Sequence, residues 1–312
     1  MSPVVRIGTR ASRLAQAQSR QMQARIAAAL GAPPEDADHV APLVLITTTG
    51  DRIQDRRLLE IGGKQLFTKE IEEALLEGRI DCAVHSMKDV PALMPDGLVI
   101  AAVPEREDPR DAFVSPAHPT FAALPPGARL GTASLRRQAQ ALRRRSDLQV
   151  VMLRGNVDTR LAKLERGEAQ AGLLALAGLK RLGLEAVVRE TIDPVLAPPA
   201  PGQGALAIQT RTGDAGAPWL AVLHHRESEL AVAAERGALE ALEGSCRTAV
   251  GAHARLDGDT LSLVAEALTG DGTHAWRREG AVEGVTLERA MALGRALGAA
   301  IRDEAGDRLL AA

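Results

Sequence analysis

The feature that most constrains how this chain folds is a repeated alternation of short apolar runs with amphipathic segments. VVRIGT at 4–9 is a β-rich run, and Ser12 then stands where a helix cap is expected before an amphipathic segment. PLVLITTT at 42–49, KEIEEALLEGR at 69–79 and IDCAVHS at 80–86 repeat the order of strand, helix and strand. The pattern predicts an α/β sheet that contains parallel strands.

The chain is also predicted to form more than one domain, because 312 residues exceed the size at which a single core usually stops growing. A turn-rich stretch at 104–119 precedes a second series of strand and helix signals, so we place one domain crossing near residues 103–105. PAPGQGALAIQT at 199–210 predicts a second crossing, and the later pattern, which ends in a helix at 287–304, predicts a small α+β domain. The predicted domains are 1–104 with 205–222, 105–204, and 223–312.

Charge and aromatic content argue against several classes of partner. With 38 basic and 40 acidic residues the net charge is −2, which removes any whole-protein argument for a polyanion or a membrane surface. Aromatic residues make up only 2% of the chain, so stacking on nucleic-acid bases has few candidates. No run of 18 apolar residues and no secretory pattern is present, so we expect a cytoplasmic protein in which Cys82 and Cys246 are free thiols. Neither cysteine has a second Cys or His at ligand spacing, and no metal site is predicted.

The clearest candidate for an anion site is GTASLRRQ at 131–138. Thr132 stands at a predicted strand end and Ser134 at a predicted helix cap, followed by Arg136 and Arg137. Hydroxyls, free backbone N–H groups and two guanidinium groups can converge there on one carboxylate or phosphate. The alternative is a solvated basic helix face, because three more arginines follow at 143–145.

Two further basic turns follow predicted strands in the same way. TRASRLAQ contains Arg10 and Ser12, and LRGNVDTR contains Arg154 and Arg160. Lys64 adds a cation in the Gly-flanked segment IGGKQLF, which is not a Walker motif. Because ligands of open α/β sheets gather at the carboxyl ends of strands, these turns predict a cleft for a polyacidic ligand.

HSMKDVP at 85–91 follows an apolar strand, so Ser86, Lys88 and Asp89 stand where a parallel strand leaves its sheet and catalytic groups are common. An ion pair between Lys88 and Asp89 that caps a loop is the simpler interpretation of those two residues, and His85 is interpreted as a semi-buried histidine with a hydrogen-bond partner. Cys246 lies in a Gly and Ser turn with neither a local Cys/His nor a CxxC arrangement.

Taken together and in this order, HSMKDVP, EREDPRDAF, GTASLRRQ, LRGNVDTR, PGQGALAI and EGSC resemble the porphobilinogen deaminases, from Arg6 to about Ala252. The resemblance implies an α/β fold of two periplasmic-binding-protein-like lobes with mixed sheets, plus a small C-terminal α+β domain. It implies a monomeric transferase of tetrapyrrole biosynthesis that joins four porphobilinogen molecules, with loss of ammonia, into hydroxymethylbilane.

The resemblance also implies roles for individual residues. A dipyrromethane cofactor is joined by a thioether to Cys246, and Asp89, with Lys88 beside it, is the catalytic carboxylate that stabilises positive charge as ammonia leaves. The implied cofactor-binding residues are Ser86, Lys88, Asp89, Thr132, Ser134, Arg136 and Arg137. The implied substrate-binding residues are Arg10, Ser12, Lys64, Phe67, Arg154, Arg160 and Gln203.

Four positions depart from the family pattern. Glu60 stands where Lys is frequent and Gln65 where Gly is usual, which bears on the carboxylate contacts and flexibility of the lid loop. Ala133 replaces a frequent Ser and removes one hydroxyl donor from the cofactor turn, and Arg13 replaces a usual Pro. The alternative function is a two-lobed protein that binds anions or other solutes without catalysis and leaves Cys246 unmodified.

Overall fold

The computed structural model describes residues 4–52, 66–242 and 248–309, which form two compact units. The first unit contains 4–52, 66–107 and 205–229, and the second contains 108–204, 230–242 and 248–309. The second unit holds both a mixed sheet and the C-terminal antiparallel sheet. The division into three domains with the boundaries given above stays a prediction.

The described residues form three sheets. The strands are β1 (Ile7–Arg10), β2 (Leu43–Ile46), β3 (Cys82–Ser86), β4 (Leu98–Ala102), β5 (Asp111–Val114), β6 (Arg129–Gly131), β7 (Gln149–Val151), β8 (Ala171–Ala175), β9 (Val188–Thr191), β10 (Leu206–Arg211), β11 (Ala249–Asp257), β12 (Thr260–Leu268) and β13 (Ala275–Glu283).

The helices alternate with these strands. They are α1 (Arg13–Ala29), α2 (Ala37–Val40), α3 (Thr49–Arg52), α4 (Lys69–Leu76), α5 (Leu135–Arg144), α6 (Val157–Glu165), α7 (Leu176–Arg181), α8 (Arg226–Ala241) and α9 (Leu287–Ala305). Short 3₁₀ turns occupy Pro34–Asp36, Met87–Asp89, Glu185–Val187, Thr212–Asp214, Pro218–Leu220 and Gly306–Leu309. None of the helices in these described segments is long and apolar enough to cross a membrane.

The sheet of the first unit has the strand order β2-β1-β3-β10-β4. β1 runs parallel to β2 and β3, whereas β10 runs antiparallel to β3 and β4. Met22 and Ile26 of α1 are buried in one core with Ile7 and Ile208 of the sheet. Because β1 and β3 are parallel neighbours, the turns that follow them lie at the same edge of the sheet.

The mixed sheet of the second unit repeats this plan in the order β7-β6-β8-β5-β9. β6 runs parallel to β7 and β8, and β5 runs antiparallel to β8 and β9. Phe113 of β5 and Leu130 of β6 lie in its core. The turns after β6 and β7 are joined by backbone hydrogen bonds, with Thr132 N donating to Val151 O at 3.0 Å.

The third sheet is the antiparallel meander β11-β12-β13, and α8 and α9 pack with it. The predicted fold class, two α/β lobes with mixed sheets and a C-terminal α+β part, is confirmed by these strand orders. The predicted helix at 287–304 is also present, as α9.

Two predicted elements end earlier in the structure than the sequence indicated. The predicted strand at 42–49 ends at Ile46, because Thr48 Oγ1 donates to Asp51 Oδ2 at 2.7 Å and a helical turn begins at Thr49. The predicted helix at 69–79 ends at Leu76, since Gly78 takes the left-handed conformation that terminates helices, with a φ of 69°.

Close packing of α8 against α9 depends on glycine. A Cβ atom at Gly298 would lie 2.6 Å from the carbonyl oxygen of Ala238 and 2.9 Å from the Cβ of Ala241. Gly294 faces the carbonyl of Ala234 in the same way. A side chain of any size at these positions must push the two helices apart.

We predict that Gly298→Ala lowers the free energy of unfolding by about 1–3 kcal/mol, the usual cost of overpacking, although Ala is the better helix former. Urea denaturation measures this change. Gly213→Ala is the control, because a Cβ there meets nothing within 4 Å. Equal stability of Gly298→Ala and wild type would contradict the packing described for α8 and α9.

Candidate active site

The turn after β6 carries the predicted cofactor residues of the second unit. Ser134 caps α5 by accepting a hydrogen bond from Arg137 N at 3.4 Å, and its own N–H donates to Thr132 Oγ1 at 3.1 Å. The predicted cap is therefore confirmed. Arg136 and Arg137 occupy the first turn of the helix, and both residues are buried at 5% exposure.

The two arginines do converge on one carboxylate, but that carboxylate belongs to the protein. Arg136 Nη1 lies 2.8 Å from Asp111 Oδ2, and Arg137 Nη2 lies 2.7 Å from Asp111 Oδ1. Arg137 Nε also donates to Asp111 Oδ1 at 3.0 Å. Asp111, the first residue of β5, is buried at 4% exposure and was not among the predicted site residues.

Neighbouring polar groups hold this arrangement from several sides. Gln203 Nε2 donates to Asp111 Oδ1 at 2.8 Å, and Gln203 Oε1 accepts from Arg137 Nη2 at 3.3 Å. Gln140 Oε1 accepts from Arg136 Nη1 at 2.8 Å, while Gln140 Nε2 donates to Glu266 at 3.1 Å. Gln203, predicted to bind substrate, therefore contacts Arg137, one of the two predicted cofactor arginines.

The cluster keeps an excess of positive charge. Burial raises the pKa of Asp111, but Arg136 and Arg137 outweigh that effect and hold the pKa well below its usual range, so the carboxylate is ionised. Guanidinium groups stay protonated in proteins, so two cations share the Asp111 carboxylate in direct contact, while Glu266, whose pKa is raised by burial, also acts electrostatically on Arg136. Arg136 Nε is buried and has no hydrogen-bond acceptor among the described residues. A further carboxylate can satisfy both that donor and the excess charge.

The third predicted basic turn lies beside this one, at the end of β7. Asn156 caps α6 by accepting from Thr159 N at 2.8 Å, a cap that sequence reasoning missed. Arg154 is buried at 8% exposure, and Arg160 Nε donates to the carbonyl of Gly155 at 2.8 Å. Since β6 and β7 are parallel neighbours, the structure brings both basic turns of this unit to one sheet edge.

In the first unit, the turn after β3 carries Ser86, Lys88 and Asp89. Ser86 Oγ accepts from Gln18 Nε2 at 3.1 Å, and Gln18 is a buried residue of α1 that sequence reasoning missed. Lys88 is exposed and Asp89 is half-buried in the 3₁₀ turn that follows the strand. Asp89 thus lies in the turn just after β3 ends and is only half-buried, a position suited to a group that acts on a ligand.

The turn after β1 carries Arg10 and Ser12. Ser12 accepts from Ala15 N at 3.3 Å, so its predicted capping role is confirmed. Arg10 forms an ion pair with Asp51, with Arg10 Nε 3.2 Å from both carboxylate oxygens. The guanidinium carbon of Arg10 lies 4.2 Å from the ring centroid of Phe67, close enough for a cation–π contact. Phe67 and Arg10, both predicted to bind substrate, therefore touch.

His85 belongs to a buried polar chain beneath the turn after β3. His85 Nε2 lies 3.0 Å from Gln209 Oε1, and Gln209 Nε2 donates to Glu72 Oε1 at 3.3 Å. Burial lowers the pKa of His85 to about 4 and raises the pKa of Glu72. The predicted hydrogen-bond partner of His85 is therefore confirmed, but the residue is buried at 4% exposure rather than semi-buried, and its ring is neutral at pH 7.

Several predicted residues lie outside the part of the chain that the structure describes. They are Lys64, Cys246, Glu60 and Gln65. Within residues 4–52, 66–242 and 248–309, no group of three or more His, Cys, Asp or Glu side chains is arranged to hold a metal ion.

The fold and the site define an α/β protein built on two mixed sheets, with buried arginines in the turns after parallel strands. Comparison with known proteins gives the particular family. Residues 5–217 match the family model described as "Porphobilinogen deaminase, dipyromethane cofactor binding domain", and residues 229–303 match "Porphobilinogen deaminase, C-terminal domain". The chain belongs to the porphobilinogen deaminase family, so the resemblance found in the motifs is confirmed.

Curated relatives agree over nearly the whole chain. A porphobilinogen deaminase of Caulobacter sp. (strain K31) is 65% identical over 310 residues, 98% of each chain. That of Phenylobacterium zucineum (strain HLK1) is 61% identical over 315 residues, 99% of this chain and 98% of the relative.

Solved structures give only distant likenesses. A nutrient binding protein from Burkholderia cenocepacia bound to methionine has a TM-score of 0.42 and 14% identity, and covers 70% of this chain and 90% of its own. A periplasmic binding protein of Salmonella typhimurium with high arginine specificity has a TM-score of 0.39 and 13% identity, and covers 71% and 92%. Likenesses this distant do not bear on what this chain binds.

We predict that neutral His85 makes stability depend on pH. The folded-state pKa of about 4 lies below the ordinary value of 6.5, so the unfolded chain binds more protons between these values. Unfolding free energy should therefore fall as pH drops from 6.5 to 4, by up to about 3 kcal/mol from this group.

The measurement compares wild type with His85→Gln by denaturant unfolding at several pH values. The stability advantage of wild type should shrink toward pH 4, whereas the exposed control His39→Gln should show no such trend. A difference between wild type and His85→Gln that stays constant from pH 7 to pH 4 would show that His85 is not buried in its neutral form.

Proposed function

We propose that this chain is a transferase that joins four porphobilinogen molecules, with release of ammonia, into hydroxymethylbilane on a dipyrromethane cofactor anchored at Cys246. The observation that carries the proposal is the match of residues 5–217 to a family model named for binding that cofactor. The curated relatives at 61–65% identity, all named porphobilinogen deaminase, support the same activity. A binding protein without catalysis is therefore not favoured.

The residues of the second unit fit a cofactor that carries carboxylates. Each pyrrole ring of such a cofactor bears an acetate and a propionate. Arg136 Nε is a buried donor with no acceptor in the described ranges, and it sits in a cluster with excess positive charge. Thr132 and Ser134 add hydroxyl groups in the same turn. When bound, the cofactor supplies the nucleophilic ring carbon from which the product chain grows.

The proposal divides the remaining work among this chain's own side chains. Asp89 stabilises the positive charge that develops on a pyrrole as ammonia leaves, because a fixed carboxylate acts more strongly on that charge than water does. Lys88 lies beside it, and Ser86 binds on the cofactor side. The proposed ligands of substrate carboxylates are Arg10, Ser12, Lys64, Arg154 and Arg160, with Phe67 and Gln203 in support.

The proposal extends to a monomer in the cytoplasm that takes a small-molecule substrate and no nucleic acid or membrane. Cys82 is buried and forms no disulfide bond with the described residues. A reducing compartment keeps Cys246 available as the thiol that the thioether requires. The net charge of −2 supports the absence of a polyanionic partner.

We predict that the intact mass of purified protein exceeds the sequence mass by two linked pyrroles, and that peptide mapping places the addition on Cys246. The added mass should be absent in Cys246→Ser and present in Cys82→Ser, the matched control. A wild-type thiol that stays unmodified after incubation with porphobilinogen would rule out this function in favour of simple anion binding.

We also predict that Asp89→Asn lowers kcat by about 10²–10³-fold, the typical effect of removing one electrostatic group from a transition state. The added mass on Cys246 should persist, which separates catalysis from cofactor retention. Asp96→Asn, an exposed carboxylate of the same unit, is the control. Wild-type turnover by a cofactor-loaded Asp89→Asn protein would remove Asp89 from the mechanism.

A further inference from the structure

Asp111 is the buried carboxylate on which two of the predicted cofactor ligands converge. We propose that Asp111 is a positioning residue, which orients Arg136 and Arg137 so that Arg136 presents its free Nε–H edge to a carboxylate of the cofactor. The inference rests on the proposed function, and in it Asp111 acts through the two arginines rather than on the cofactor itself.

The geometry gives each arginine a different contact with the carboxylate. Oδ2 of Asp111 binds Arg136 through Nη1 alone, at 2.8 Å. Oδ1 binds Arg137 through both Nε and Nη2, at 3.0 and 2.7 Å. Arg137 is therefore held along its Nε edge and donates from Nη1 to Leu173 O at 3.0 Å, whereas Arg136 keeps its Nε edge for another acceptor.

The backbone that carries the carboxylate is fixed. Asp111 opens β5, which pairs with β8 and β9 on its two sides, and it lies opposite Ala175 in the register. Gln203 Nε2 donates to Asp111 Oδ1 at 2.8 Å and to Pro109 O at 2.8 Å, so the carboxylate cannot rotate without breaking a buried hydrogen bond. Arg136 and Arg137 are thus oriented by a strand rather than by a loop.

Charge and geometry make opposite predictions for this residue. Asp111 cancels one of two buried positive charges, so on electrostatic grounds alone its neutralisation should strengthen the binding of an acidic ligand. Its hydrogen bonds hold both guanidinium groups, so on geometric grounds its neutralisation should weaken that binding. The direction of the change therefore decides between the two accounts.

The experiment compares wild type with Asp111→Asn, a substitution of the same shape. Native mass spectra separate folded from unfolded molecules and report the fraction of the folded ones that carries the two-pyrrole addition. A substitution that only destabilises the fold would lower the amount of folded protein but leave this fraction unchanged. We expect the fraction to fall about tenfold, the effect of losing one charge-assisted hydrogen bond. Asp147→Asn is the matched control, because it also removes a carboxylate that pairs with an arginine, here the partly exposed Arg145. The fraction of this variant that carries the cofactor should equal that of wild type.

A second variant covers the case in which Asp111→Asn does not fold. Gln203→Met removes the hydrogen bonds to Asp111 Oδ1 and Arg137 Nη2 and leaves every charge in place, so a fall in its loaded fraction is not an effect of charge. We expect a reduced fraction among its folded molecules. Loading equal to or above that of wild type, in folded Asp111→Asn or in Gln203→Met, would overturn the proposal. An unmodified wild type would instead overturn the proposed function, and this inference with it.

Discussion

The second unit depends on one buried carboxylate shared by two guanidinium groups. Removing one partner of such a group leaves an uncompensated buried charge, which typically costs about 3–5 kcal/mol. Asp111 joins the start of β5 to the first turn of α5, and Gln203 ties the segment before β10 to the same point. The mixed sheet, the helix and this segment are therefore held in one arrangement by ionic hydrogen bonds, in addition to their apolar core.

In both units, a carboxylate of the protein holds an arginine in the turn that follows a parallel strand. Arg10 is held by Asp51 and by the ring of Phe67, as Arg136 and Arg137 are held by Asp111. An arginine fixed in this way loses less side-chain entropy when a ligand binds, because it is already ordered. The protein's own carboxylates thus orient the arginines for binding an acidic ligand and do not prevent that binding.

How much the sequence could predict depends on how far apart the interacting residues lie. Ser12 and Ser134 were predicted as helix caps because their hydrogen bonds span only three residues. Asp111 meets Arg136 across 25 residues and Gln203 across 92, and Asp51 meets Arg10 across 41. A carboxylate that pairs at such distances carries no local signal, so these partners were missed.

The same reasoning explains which parts of the fold were predicted. Strand and helix alternation predicted α/β sheets with parallel strands and a small C-terminal α+β part, whereas the two lobes with mixed sheets were implied by the family resemblance. The strand predicted at 42–49 is too long, because its Thr-rich end has high β propensity. In the structure a side-chain hydrogen bond from Thr48 to Asp51 begins a helical turn there instead. The motif EREDPRDAF contributed to the family resemblance, although it gave no role to the Asp111 within it.

The central claim is that Asp111 prepares a cationic cluster whose open donor receives a carboxylate of the cofactor. A crystal structure of the cofactor-loaded protein tests it most directly. The account predicts a cofactor carboxylate oxygen within about 3 Å of Arg136 Nε, with Asp111 still bridging Arg136 and Arg137. A loaded structure in which the cofactor carboxylates are bound elsewhere, with Arg136 Nε donating to a protein acceptor, would contradict it.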